Sequence, residues 1–200
     1  MKILAGLGNP GAQYERTRHN AGFWFVERLA RSLGVELRSE PRYRALAART
    51  SAHGEDLWLV APQTYMNVSG AALAPLARFY KIEARDVIVA HDELDLPAGS
   101  ARLKLGGGFA GHNGLRSITE QLGTRDFWRL RIGIGHPGDK NRVHDYVLEV
   151  PRAEERAAID AALARCLDIA PLLLAGDYEA AMRRLHTKAA KGEPAAKDPS

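Results

Sequence analysis

The chain has 200 residues, 46% of them hydrophobic, and a formal net charge of +4. That length suits one domain with a real core, and the composition excludes disordered, fibrous and disulfide-stapled classes. No run approaches the roughly 20 apolar residues of a membrane span, and Met1-Lys2-Ile3-Leu4 meets Gly-Asn-Pro before a secretory core could form, so a cytoplasmic protein is expected.

Residues 2–8 read as a buried strand, and 21–33 as a helix with Phe25, Val26, Leu29 and Leu33 on one face, capped by Asn20 and stopped by Gly34. Strands over 43–50 and 57–61 are expected to form a hairpin around His53-Gly54-Glu55-Asp56. A second helix carries Leu73, Leu76, Ala77 and Tyr80, with Ser69 or Asn67 as its cap. The apolar run DVIVA (86–90) marks a strand buried on both faces and ends at His91-Asp92. Residues 101–105 read as a strand, and GGGFAGHNG opens a helix that stops at Gly123. Residues 128–134 alternate apolar and basic, as in a strand with one exposed face, and 146–148 suggest a short edge strand. Past Pro151 an amphipathic helix runs through Ile159, Leu163 and Leu167 until Pro171 kinks or ends it, and a last helix covers 178–185. Strands alternating with helices argue for a single α/β domain over 1–186, a mixed, twisted sheet flanked by helices. The Lys/Ala/Pro segment 187–200 is expected to be a disordered tail. The single Cys166 lies among apolar helix positions, where a thiol is inert.

Charge is distributed unevenly. Residues 101–142 hold eight Lys/Arg against three acids, a local excess that hints at a phosphate-bearing partner, although a solvated basic face would give the same count. Gly6-x-Gly8-x-x-Gly11 spells the dinucleotide fingerprint, but Pro10 interrupts the loop and the next helix starts about ten residues too late to meet a pyrophosphate. The glycines are read instead as letting the backbone turn sharply off the first strand.

His19 ends that loop, and Asp92 ends a buried strand, where α/β sheets place functional groups. A carboxylate that accepts from one imidazole nitrogen leaves the other free to take a proton from water near neutral pH. Without a GxSxG elbow or a catalytic-looking cysteine, activated water is the best nucleophile. Asn9, Asn67 and Asn113 stand at element junctions, as turn formers and caps or as cleft residues matched to amide and ester carbonyls. Lys104 and Arg131 could hold a phosphate or be solvated strand ends, and Tyr14, Tyr65 and Met66 could line a cleft or be core. The glycine-rich loop lacks a Walker Lys-Ser/Thr, and the histidines show no metal-ligand spacing, so neither nucleotide hydrolysis nor a metal is expected, and no cofactor.

GLGNPGAQYERTRHNAG, PQTYMNVSG, HDELDLPAG, RLKLGGGFAGHNGLRSI and RLRIGIGHPG together closely resemble the bacterial peptidyl-tRNA hydrolase family. The resemblance implies a monomeric α/β fold and hydrolysis of the ester joining a peptide to the 3′ end of tRNA, which frees the tRNA for translation. Carried over residue by residue, it implies His19 as the catalytic histidine and Asp92 as its orienting aspartate. It also implies Asn67 and Asn113 as substrate ligands and Asn9 as the residue that distinguishes an acylated from a free α-amine. Tyr14 and Tyr65 match positions lining the tRNA-end and peptide cleft, and Lys104 and Arg131 a basic pair assigned to a tRNA phosphate. A non-catalytic RNA-binding relative would not need His19 with Asp92, and a nucleotide-binding enzyme would bind cofactor in a simple titration.

Overall fold

The computed structural model describes residues 1–186; the tail expected over 187–200 lies outside the described residues. Seven strands form one mixed sheet: β1 (Lys2–Gly6), β2 (Arg38–Glu40), β3 (Ala45–Ala52), β4 (Glu55–Pro62), β5 (Val87–Glu93), β6 (Ala101–Leu105) and β7 (Trp128–Gly133). Their spatial order is β2-β3-β4-β1-β5-β7-β6. The inner strands β4, β1, β5 and β7 run parallel, and β2, β3 and β6 add antiparallel pairs outside them. Among the described residues the α-helices are α1 (Ala21–Ser32), α2 (Gly70–Phe79), α3 (Asn113–Leu122), α4 (Val143–Leu148), α5 (Ala153–Asp168), α6 (Ala170–Ala175) and α7 (Tyr178–His186).

The pleat sends alternate residues of the central strands into two cores. Leu4, Ile88 and Ala90 pack with α1, α5 and α6, whereas Ile3, Ala5, Val87 and Val89 pack with α2 and α3. Strand β1 leads into α1 on one face of the sheet, and β4 leads into α2 on the other before the chain returns to β5. The carboxyl ends of β1 and β5 therefore flank a switch point, where open α/β sheets form their crevices.

Glycine seats α1 against this junction by absence of volume. A Cβ on Gly6 would collide with the Gly22 carbonyl, and one on Gly22 with the Ala90 carbonyl and the Leu7 amide. Gly8 is covered by the Phe23 ring. Of the three fingerprint glycines only Gly11 has positive φ (109°), so Gly6 and Gly8 serve close approach rather than the sharp turn expected. The helix indeed begins only at Ala21, well beyond the motif.

Several local expectations are corrected. Asn20 and Ser69 occupy N-cap positions without capping through their side chains. Residues 146–148 belong to α4 rather than an edge strand, and β2 is an additional short strand. Arg129 on β7 is 2% exposed, so the basic side of that strand is not simply solvated. The hairpin is present, with both His53 (φ 52°) and Gly54 (φ 80°) in the left-handed region that a two-residue turn of this hand requires. The first long carboxy-terminal helix ends at Asp168, and Pro171 opens α6, where its missing N–H costs no bond. Cys166 is fully buried, and burial pushes its thiol up to about 12. No helix among the described residues is long and apolar enough to cross a membrane.

The α1 seat yields a direct test. Gly22→Ala must separate α1 from β1 and β5, and is expected to destabilise the protein by about 1–3 kcal/mol, read as a lower midpoint in denaturant unfolding. Gly34→Ala, whose added Cβ meets nothing within 4 Å, serves as a control for the strain of a positive φ alone.

Candidate active site

A cleft of about 540 Å³ opens at the carboxyl ends of β1 and β5. Asn9, His19, Asp92, His112, Asn67 and Asn113 line its polar part, and Tyr65 and Met66 flank them. Helix α4 also lines it, through Val143, His144, Val147 and Leu148.

Asp92 is the anchor. It shares the pleat side of Ile88 and Ala90, and is 3% exposed. His19 Nδ1 lies 2.9 Å from each of its carboxylate oxygens, and His112 Nε2 lies 2.9 Å from Oδ1. The second imidazole is fixed from behind, because His112 Nδ1 accepts from the backbone N–H groups of Gly114 (3.2 Å) and Leu115 (3.4 Å) at the start of α3. Its proton must then sit on Nε2 and point at Asp92. His19 likewise donates through Nδ1, and its Nε2, which has no partner among the described residues, is left uncommitted at the cleft.

Electrostatics follow from burial and partners. Burial favours the neutral carboxyl of Asp92, but the two imidazoles and their hydrogen bonds hold it well below the usual carboxylate range. Burial likewise disfavours a charged His19, yet the Asp92 charge and hydrogen bond prevail and raise its pKa above the ordinary 6.5. His91, on the other pleat side and 1% exposed, is pushed down to about 3 by burial and then by nearby His112. Its Nδ1 donates to the Asp92 carbonyl at 2.7 Å.

His19, Asp92 and His112 are close enough to suggest a cation site, since their ligand atoms fall within 4.8 Å of one another. The donor set does not fit. His112 Nε2 carries the proton that Nδ1 cannot, so it has no lone pair for a metal unless both backbone bonds are lost.

Asn9 is held with equal definition. Its backbone N–H donates to Asn20 Oδ1 (2.9 Å), and its carbonyl accepts from Asn20 Nδ2 (3.0 Å). Its side-chain Oδ1 accepts from the Met66 amide at 2.8 Å, which leaves Nδ2 as a donor on the cleft. Asn67, in the turn before α2, and Asn113, the first residue of α3, are exposed at the cleft without side-chain partners among the described residues. Tyr65, 61% exposed, lines the cleft, but Tyr14 does not. The Tyr14 ring stands edge-on to Tyr65 at 6.5 Å between centroids.

Lys104 and Arg131 do converge. Lys104 pairs with Arg129 across β6 and β7, so Arg131 is its diagonal neighbour on the same face. Both line a second pocket of about 190 Å³ that shares Glu93, Phe109 and Ala110 with the cleft. Arg131 is not free, since its Nε donates to Glu93 Oε2 at 2.8 Å. Arg129 lies beneath, donating to the carbonyls of Gly107 (2.9 Å) and Gly108 and so fixing the glycine-rich loop. Sequence reasoning treated His112 only as a possible ligand and Asn20 only as a cap. The short spacing from His112 to the start of α3 was the available signal for the first.

The fold and the site define a single-domain α/β protein with a carboxylate-oriented histidine at a sheet switch point, a general-base class of site. The sequence pattern of the peptidyl-tRNA hydrolase family matches residues 3–193, and the chain belongs to that family. It is 56% identical over 188 residues to the peptidyl-tRNA hydrolase of Nitrosospira multiformis, covering 94% of this chain and 98% of that protein. To the corresponding protein of Cupriavidus necator it is 53% identical over 195 residues, covering 94% and 98%. The crystal structure of peptidyl-tRNA hydrolase from Acinetobacter baumannii superposes with a TM-score of 0.91 at 44% identity, covering 94% of this chain and 95% of that one.

The His19 assignment has a spectroscopic consequence. In the free protein its ring should titrate above 6.5, followed by NMR of the ring protons. Asp92→Asn removes the charge that raises the pKa and leaves burial, which lowers it, so the midpoint should fall below 6.5.

Proposed function

We infer that the chain hydrolyses the ester between a peptide and the 3′ end of tRNA, with His19 as general base and Asp92 as its orienting carboxylate. The observation that carries this reading is the free Nε2 of His19, turned to the cleft while Nδ1–H is committed to Asp92. In the proposed reaction Nε2 takes a proton from water and the oxygen attacks the ester carbonyl. The bond between the carbonyl carbon and the ribose oxygen then breaks, and that oxygen takes up the proton held on His19 Nε2. Asn67 and Asn113 supply uncommitted amides for the peptide carbonyls and the developing oxyanion. His112 holds Asp92 from the other side and is a positioning residue.

Asn9 Nδ2 offers a reason for preferring a blocked amine. An N-acylated substrate presents a carbonyl acceptor to this donor, whereas a free α-ammonium presents only N–H donors. Tyr65 offers an exposed ring against which the substrate can pack, backed by Tyr14. Lys104 and Arg131 are proposed to bind a phosphate near the acceptor end. The common wall of the two pockets supports one ligand spanning both. Glu93, by holding Arg131 through Nε, leaves the paired terminal nitrogens of its guanidinium for that phosphate. As part of the same proposal, the chain works as a monomer in the cytoplasm, with residues 1–186 as its hydrolase domain.

Two substitutions test the assignment on N-acetylaminoacyl-tRNA. His19→Ala should leave a folded protein whose turnover falls about 10²- to 10⁴-fold; wild-type turnover would refute the role. Asn9→Asp can still accept from Met66 but turns the cleft-facing donor into an acceptor. It should reduce hydrolysis of the blocked substrate about tenfold or more and narrow the preference over unblocked aminoacyl-tRNA.

A further inference from the structure

Arg18 immediately precedes His19, yet none of its polar contacts is made to the His19–Asp92 pair. It is 3% exposed, and its backbone N–H and side chain turn toward α4 and the start of α5. The backbone N–H donates to the Glu149 carbonyl at 3.1 Å. Nη1 donates to the carbonyls of Tyr146 (3.1 Å) and Glu149 (3.3 Å), and Nη2 to Glu155 Oε2 at 2.7 Å. The guanidinium carbon sits 4.0 Å from the centre of the Tyr146 ring, whose hydroxyl donates to the Ile134 carbonyl at 2.7 Å.

These contacts have a common geometric effect. Tyr146 and Glu149 bracket the end of α4, the helix whose Val143, Val147 and Leu148 line the same cleft as His19. Helix α4 has six residues, too few to be stable by itself, so its place depends on what holds its carbonyls. Glu155 fixes the guanidinium from the other side, being itself bound to the Arg152 amide at the start of α5. A buried arginine reaching three carbonyl or carboxylate groups in a fixed plane has no substitute in lysine, which carries a point charge on a flexible stem.

We propose that Arg18 is a positioning residue that locks the α4 wall to the His19 turn and so sets the width of the cleft around the acyl part of the substrate. It acts on substrate affinity rather than on the proton transfer. The kinetic part of this inference rests on the hydrolase reading above; the structural part does not.

The test uses the full chain with Arg18→Lys, and Glu155→Gln as a milder variant that keeps the arginine and its stacking on Tyr146. Native-state hydrogen exchange without substrate should show the amides of 143–149 exchanging about tenfold to a hundredfold faster in Arg18→Lys, with those of β1 and β5 unchanged. Glu155→Gln should move the same amides less. In hydrolysis of N-acetylaminoacyl-tRNA, KM should rise while kcat and the acid limb of its pH profile stay in place. Unchanged exchange over 143–149 in a folded variant would overturn the lock. A shifted acid limb with unchanged KM would overturn the division of roles, by showing that Arg18 acts on His19 itself. If Arg18→Lys fails to fold, Glu155→Gln decides by the same readings. If exchange responds but no hydrolysis is detected even in the parent protein, the hydrolase reading fails and the lock stands.

Discussion

A carboxylate buried at the end of a central strand is the constraint on which this site depends. Asp92 loses nearly all its water, and an ionised carboxylate without partners in that position would take up a proton instead. Two imidazole N–H donors keep it charged, and each must come from elsewhere in the chain. One is delivered by the loop after β1, the other by the residue before α3. The start of α3 also points its backbone N–H groups toward His112 Nδ1, so the helix terminus that needs acceptors selects the tautomer that Asp92 needs. Each element end satisfies its own unpaired groups by organising the next.

The delivery of His19 depends in turn on how tightly α1 lies on the sheet. Gly6 and Gly22 lack the Cβ atoms that would hold the helix away, which brings its first turn against Leu7 and the Ala90 carbonyl. Phe23 N–H donates to the Leu7 carbonyl at 3.1 Å, and Leu7 N–H to Ala90 at 2.9 Å, so helix, loop and β5 share one hydrogen-bonded junction. Asn20, whose side chain might have capped α1, spends both of its groups on the Asn9 backbone. Helix capping has been exchanged for control of a cleft residue, an exchange that costs about 1 kcal/mol of helix stability where such a cap is missing.

Much of this was legible from residues alone. The central strands announce themselves as apolar runs, the rule about carboxyl edges singled out Asp92 at a strand end beside His19 at the end of the first loop, and the family resemblance implied their joint role. What could not be read was set by distant partners. An apolar triplet such as 146–148 fits a strand or a helix equally, and what holds the helical form is a distant partner, Arg18, packed on the Tyr146 ring and bonded to the Tyr146 carbonyl. The alternation in β7 suggested solvated arginines because nothing local shows that the carbonyls of Gly107 and Gly108 lie above Arg129. His112 looked like one histidine among several because its role is fixed by a carboxylate 20 positions away.

Arg129 also explains why the glycine-rich loop can be both open in composition and definite in shape. Gly106, Gly107 and Gly111 all have positive φ, and Ala110 is held at φ 44°, a conformation unfavourable for a residue with a Cβ. Such a loop would have many alternatives if it were free. The buried guanidinium binds two of its carbonyls, and Arg116 and Arg125 lie 5.8 and 5.1 Å from the centre of the Phe109 ring. The wall that separates the catalytic cleft from the basic pocket is therefore clamped from below by one arginine and flanked by two others. Under the proposed reading, a ligand reaching from the basic pocket to the cleft would pass over a surface already clamped in shape, so its binding would not supply the free energy of ordering that loop.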